Sequence, residues 1–171
     1  MKLFVKVIPI IFIVLCCNPF APSLTDGESN SSTITQQKTP RDVLTNFRYA
    51  YVFKDSLVYS DVLDSSFQFI SKNYGTSPPT NINWGRDVDI ITTTRLFRHF
   101  DFLELEWGAN LSKIVNKTKN DSLSSEIKIT FQLTLDGGRD IPTIKGEALF
   151  NFIKNSDGIW KITRWEDLSS F

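Results

Sequence analysis

From Glu126 to Leu135 apolar and polar positions alternate without a break. Ile127, Ile129, Phe131, Leu133 and Leu135 fall on one side, and Lys128, Thr130, Gln132 and Thr134 on the other. Successive side chains leave opposite faces of a strand, so the pattern predicts a sheet with one apolar face and one wetter face. Asp136-Gly137-Gly138 follows, residues that tolerate the positive φ of tight turns. A second run, Thr143 to Lys154, is weakened at Gly146, and Asn155-Ser156-Asp157-Gly158 turns the chain into a third, Ile159–Asp167. By strict alternation Trp160 and Ile162 face one side of that last strand and Trp165 the other.

Upstream of Ser125 the period changes. Thr39 is a candidate cap, Pro40 suits the first helical position, and Asp42 favours the positive end of the helix dipole. Val43, Leu44, Phe47, Ala50 and Tyr51 then recur at helical spacing. A second short helix opens at Asp55 or Ser56 and buries Val58, Tyr59, Val62 and Leu63; Asp64-Ser65 ends it, and Phe67–Ile70 reads as a strand. A loop through Tyr74-Gly75 and Pro78-Pro79 leads to a third helix, Trp84 to His99, with Trp84, Val88, Ile91 and Phe97 as core positions. Phe102–Gly108 alternates again and extends past Asn110 toward Val115, before a polar hairpin loop from Asn116 to Ser124. Helices followed by strands joined through short turns predict an α+β fold, an antiparallel sheet with helices on one face.

Composition narrows the classes. With 171 residues and 41% hydrophobic content, the chain supports one domain with a substantial core. An aromatic share of 13% suits a ring-lined interior. Charges balance, 19 basic against 19 acidic, with no sustained basic run, so a nucleic-acid partner is not expected. Both cysteines are adjacent, Cys16 and Cys17, and one histidine stands alone; neither a disulfide, a metal site nor a cofactor is expected in the folded part.

The first seventeen residues read as an export signal: Lys2 and Lys6, then the apolar run Val7–Leu15 broken by Pro9, too short to span a bilayer comfortably. Val14-Leu15-Cys16-Cys17 resembles a bacterial lipobox, which makes Cys17 the expected lipidation site, with Cys16 as the alternative. An ordinary cleaved signal and an uncleaved anchor are the other readings. Several acyl chains anchor stably where one does not. Asn18 to Lys38, rich in Ser, Thr, Asn, Gln and Pro, is expected to be a disordered tether, giving boundaries of 1–17 for the signal, 18–38 for the tether and 39–171 for the domain. The expected address is the bacterial cell envelope, lipid-anchored to its membrane.

The order of elements and three landmarks resemble the NTF2-like superfamily, with its SnoaL-like and ketosteroid-isomerase-like members. They are Thr39-Pro40-Arg41-Asp42-Val43-Leu44 with Ala50-Tyr51 and Asp55, continued by Tyr59–Leu63; Trp84-Gly85-Arg86-Asp87 running to Leu96-Phe97; and Asp157-Gly158-Ile159-Trp160-Lys161-Ile162 with Trp165-Glu166-Asp167. The likeness covers residues 39–171. It implies a cone, a curved antiparallel sheet wrapped around three N-terminal helices, with a pocket at the wide end and a homodimer formed through the outer face of the sheet. Tyr51, Tyr59, Trp84, Trp107 and Trp165 are then the candidate ligand-binding rings, although Tyr51 and Trp84 read first as core rings, with ligand contact as the alternative.

Enzymes of that superfamily use a carboxylate or histidine as general base with tyrosines or acids stabilising an oxyanion. His99 and Asp101 are the catalytic candidates, although a histidine at a helix end rich in cations is most simply a partner of the dipole. Glu104 and Glu106 read as an outer face carrying cross-strand ion pairs. No catalytic motif of the superfamily can be placed residue by residue. The expectation is therefore non-catalytic binding of a small apolar molecule or a protein partner, with a SnoaL-type isomerase or lyase and a structural dimerisation module as alternatives.

Overall fold

A computed structural model describes residues 34–108, 112–119 and 122–169. The expected export signal, Cys16 and Cys17 and most of the polar tether lie outside the described residues. Helix α1, Pro40–Phe53, begins as its sequence requires: Thr39 and Asp42 cap each other's backbone N–H groups at 3.1 and 3.0 Å, with Pro40 in the first turn. Helix α2, Ser56–Val62, is capped by Asp55, whose carboxylate accepts from Leu57 N and Val58 N. Chain order then gives β1, Leu63–Asn73; β2, Thr80–Gly85; α3, Arg86–His99; β3, Leu103–Trp107; β4, Ser112–Lys119; β5, Ser122–Leu135; β6, Ile144–Lys154; and β7, Trp160–Asp167.

The sheet runs β2-β1-β7-β6-β5-β3, with β4 also paired to β5, and its end strands do not meet, so it stays open. The α+β architecture with three helices is as expected, but the sheet is mixed rather than antiparallel. β1 runs parallel to β7, with Phe69 beside Trp165. A parallel neighbour needs a crossover connection, and everything from β2 to β6 serves as one. Short-turn logic, which reads only consecutive strands, has no access to this pairing.

Further expectations are corrected. The segment before α3 is not its first turn: Trp84 lies on β2, paired with Phe69 of β1, and the two rings stack at 4.2 Å. The buried face of α3 is Asp89, Thr93 and Phe97, whereas Val88 and Ile91 are each 52% exposed. Strand also replaces the expected hairpin loop from Asn116, since β4 reaches Lys119 and β5 begins at Ser122. Glu104 and Glu106 do point outward, but they face Thr134 and Gln132 across β5, not cations.

The last correction decides what fills the interior. Between β6 and β7 the register shifts, so that Phe150 pairs with Trp165, Asn151 with Arg164, and Phe152 already with Ile162. Thr163 is the extra residue of a β-bulge, and a bulge reverses the alternation beyond it. Trp165 therefore joins Trp160 and Ile162 on the inner face, packing against Phe47, Phe69 and Phe150 with ring centroids 5.6, 5.0 and 5.6 Å away. The outer face is left polar around Leu149 and Ile153, with a Lys128–Glu147 ion pair at 2.6 Å and an Asn151–Glu126 hydrogen bond at 2.7 Å.

Packing begins ahead of Thr39. Thr35 N donates to Asn46 Oδ1 at 2.8 Å, and Asn46 Nδ2 returns a bond to Thr35 O at 3.1 Å. Gln37 O accepts from Trp160 N at 2.9 Å, while its side chain donates to Asp61. Residues 34–38 thus form a strap across α1, α2 and the start of β7, and the expected domain boundary at 39 falls inside the packed structure. Composition could not reveal this, because the strap is held through backbone groups and amides rather than by apolar side chains.

The core is a ring cluster. Phe47 on α1 is 2% exposed and meets Tyr51, Tyr59, Trp107, Phe150 and Trp165 at centroid distances of 5.0 to 5.7 Å. Mostly edge-on or tilted packing lets the positive edge of one ring meet the negative face of another.

Candidate functional site

Two neighbouring arrangements occupy the space between helices and sheet. The first is a cavity of about 30 Å³. Phe47 and Tyr51 enter it from α1, Leu105 and Trp107 from β3, Phe131 and Leu133 from β5, Ala148 and Phe150 from β6, and Trp165 from β7. The strand residues reach it because alternation on β3, β5 and β6 sends them inward, and Trp165 reaches it because of the bulge. Gly146 belongs to the same construction: a Cβ there would stand 2.9 Å from the Phe131 ring and 2.0 Å from Ser169 Oγ, so only glycine lets both approach β6. The cavity volume is far below the roughly 300–1,000 Å³ of sites that enclose drug-sized ligands. Trp107, Phe131, Leu133 and Trp165 are only half-buried, so one wall of the cavity is rim rather than deep core.

The second arrangement is polar and buried. Asp89, 3% exposed on the inner face of α3, accepts from Tyr59 Oη at 2.5 Å and from Trp84 Nε1 at 2.8 Å. Burial pushes the Asp89 carboxyl up from its ordinary range, and the two donated hydrogen bonds only partly oppose it. Burial, followed by the Tyr51 hydroxyl and the Asp89 charge, pushes Tyr59 well up; burial, then Asp89, does the same to Tyr51. Both tyrosines stay protonated, Tyr59 donates to Asp89, and each carboxylate oxygen of Asp89 accepts one hydrogen bond. The start of α3 is fixed over this group by Arg86, which donates to Ser60 O at 2.8 Å and Leu63 O at 3.4 Å.

Of the candidate rings, Tyr51, Trp107 and Trp165 come together around the cavity. Tyr59 sits behind them against Phe47 and turns its hydroxyl to Asp89, and Trp84 lies on the far side of Asp89, outside the lining. His99 and Asp101 join neither arrangement. His99 is exposed in the last turn of α3, edge-on to Phe100 at 4.8 Å. Asp101 borders a separate open cleft of about 590 Å³ with Phe102, Asp136, Gly137, Arg139 and Asp140. Asp89 was not singled out by its sequence, where it looks like one more acid in a first helical turn; the clue was a helix whose apolar positions Val88 and Ile91 do not continue a stripe through Phe97. Among the described residues no group of histidine, cysteine and carboxylates could hold a metal ion.

An open mixed sheet, curved by bulges and covered on its inner face by three helices, defines an α+β cone with a ring-lined interior. The fold is NTF2-like. No family model matches the chain, and no curated protein matches it either. Solved structures do: an NTF-2 like protein of unknown function from Shewanella oneidensis is 16% identical, with a TM-score of 0.53 over 74% of this chain and 93% of that one. A proposed scytalone dehydratase from Novosphingobium aromaticivorans is 12% identical, with a TM-score of 0.57 over 77% and 81%. A conserved protein from Planctomyces limnophilus is 14% identical, with a TM-score of 0.54 over 74% and 89%. At these identities the likeness is one of fold.

Proposed function

We propose that the cone holds a small apolar molecule without transforming it, in a domain exported to the bacterial cell envelope and anchored through a lipid on Cys17, or on Cys16. The observation that carries this reading is the division between the two arrangements. The cavity is lined by rings and aliphatic side chains, while the buried carboxylate lies outside that lining with both oxygens engaged. A general base must come within reach of the reacting atom, and Asp89 does not line the cavity. On this reading a ligand enters by displacing the half-buried rings of the rim.

A dehydratase or isomerase reading has one observation in its favour: Asp89, with its raised carboxyl, stands beside Tyr59 and Tyr51, and Tyr51 touches the cavity. A proposed scytalone dehydratase shares the fold. The position of Asp89 outside the cavity lining puts this reading second.

Native mass spectrometry of residues 32–171, with and without added toluene, tests the proposal. Retention of toluene, or a co-purified apolar molecule, is expected, and a protein that takes up neither overturns it. The homodimer implied by the superfamily resemblance is read from the same spectrum. Anchoring is tested separately, by detergent-phase partitioning of the full chain and its loss on Cys17→Ala in the presence and absence of Cys16→Ala.

A further inference from the structure

The outer surfaces of the sheet and of the helices use their charges differently. On the sheet, and where α2 meets β7, cations are paired: Lys128 with Glu147, Arg164 with Glu166 and Lys161 with Asp61. On α3, Arg95 and Arg98 are exposed and have no hydrogen-bond or ion-pair partner among the described residues. Helical spacing puts them with Val88 and Ile91 on the side opposite Asp89, Thr93 and Phe97. Arg86 is turned inward to Ser60 O and Leu63 O, and Asp87 is the one exposed acid of that helix.

The apolar part of this surface continues onto the neighbouring helices. α2 lies against α3 through Tyr59, whose ring meets Phe97 at 6.0 Å, while Leu57, two residues earlier, points away from that contact and is 80% exposed. Lys54 donates to Phe100 O and Asp101 O at 3.2 and 3.0 Å. That holds the end of α1 against the end of α3 and sets Phe53, 54% exposed, beside the same surface. Exposed apolar side chains gathered beside unpaired cations mark a surface that meets something other than water.

We infer that this helical face docks on the surface of an anionic bilayer, with Leu57, Val88 and Ile91 entering the headgroup boundary and Arg95 and Arg98 meeting lipid phosphates. The inference rests on the membrane anchoring proposed above and gives the anchored domain an orientation. Two observations favour a bilayer over a protein partner. An apolar stripe flanked by cations is the chemistry of helices that lie in a lipid interface. The chain also enters the domain over α1 and α2, through Thr35 on Asn46 and Gln37 on Asp61, and sixteen residues separate Ile34 from the expected lipid site at Cys17. The contact is with the membrane surface, since no helix among the described residues is long and apolar enough to cross a membrane.

The test is sedimentation of residues 32–171, one compact unit that lacks both cysteines, with vesicles of phosphatidylcholine alone and of equal parts phosphatidylcholine and phosphatidylglycerol. Binding to the anionic vesicles only, weakening with added salt, is expected. Arg95→Gln and Arg98→Gln should each weaken it about five-fold, the equivalent of about 1 kcal/mol per cation near the surface. Leu57→Ser with Ile91→Ser should weaken it about ten-fold. All four side chains are exposed, so the fold is retained. Binding to neither vesicle, equal binding to both, or anionic binding untouched by the four substitutions overturns the inference. Self-association abolished by the same substitutions, without vesicle binding, overturns it too and assigns the face to a second copy of the chain. Because this protein carries no cysteine, the result is independent of the detergent partitioning that tests the anchor.

Discussion

Asp89 carries the most consequential charge in the interior, and its effect on stability has a definite sign. The folded protein holds the Asp89 proton more tightly than the unfolded chain does, chiefly through burial. Between the ordinary carboxylate range and the raised folded value, the folded state therefore binds the extra proton. Stability from this group is present in acid and is lost as pH rises through the folded pKa. Asp61 behaves oppositely: burial raises it, but hydrogen bonding and charge from Lys161, with help from Gln37 and Arg86, outweigh that and hold it low. Its contribution is present at neutral pH and is lost as pH falls through its depressed pKa. Asp89→Asn keeps an acceptor for Trp84 and lets Tyr59 accept in turn, so wild type minus variant in urea unfolding should be larger within the ordinary carboxylate range than well above it. Asp89→Ala strands two buried donors and should cost about 1–3 kcal/mol more than Asn in the same measurement. At this scale the sequence was legible for Tyr51 and Trp107, whose spacing placed them inward. It was not legible for Asp89, whose partners Tyr59 and Trp84 come from other elements.

The elements themselves were largely legible where side-chain period and capping coincide. Thr39, Pro40 and Asp42 mark the start of α1, Asp55 that of α2, alternation sets β3 and β5, and the run between two turn signals sets β6. The misses share a cause: they depend on backbone pairing that no local period encodes. Thr163 looks like any strand residue, yet as the bulge it brings Trp165 inside. β2 is an exposed edge strand, polar at most positions, and its clearest feature is the cross-strand stack of Trp84 on Phe69. Two predictions belong here. Gly146→Ala forces a methyl against Ser169 Oγ and the Phe131 ring and should cost about 1–3 kcal/mol, measured by thermal or urea unfolding. A chain starting at Thr39 loses the bonds of Thr35 and Gln37 and should be less stable than one starting at Ser32 by about 2–4 kcal/mol, at roughly 1 kcal/mol per hydrogen bond. Equal stability would show that the strap is decoration.

For the molecule as a whole, the α+β class and the NTF2-like cone followed from the order of elements and from aromatic landmarks, while the parallel β1–β7 pair did not, because it joins strands at opposite ends of the domain. Phe47 is where helix and sheet are joined, with ring contacts to α1, α2, β3, β6 and β7. Phe47→Ala should destabilise the fold by about 3–5 kcal/mol. In the variant that survives, uptake of toluene seen by native mass spectrometry should rise, because the vacated volume adjoins the existing cavity. The strap also determines how the domain carries load. A pull on the chain ahead of Ile34 does not begin by unwinding α1 from its first turn. It is divided at Thr35, which hands tension to the middle of α1 through Asn46, and at Gln37, which hands it to the first residue of β7 and, through Asp61, to Lys161. β7 lies between β1 and β6 in the sheet, so a load entering through the strap is spread into the interior of the sheet.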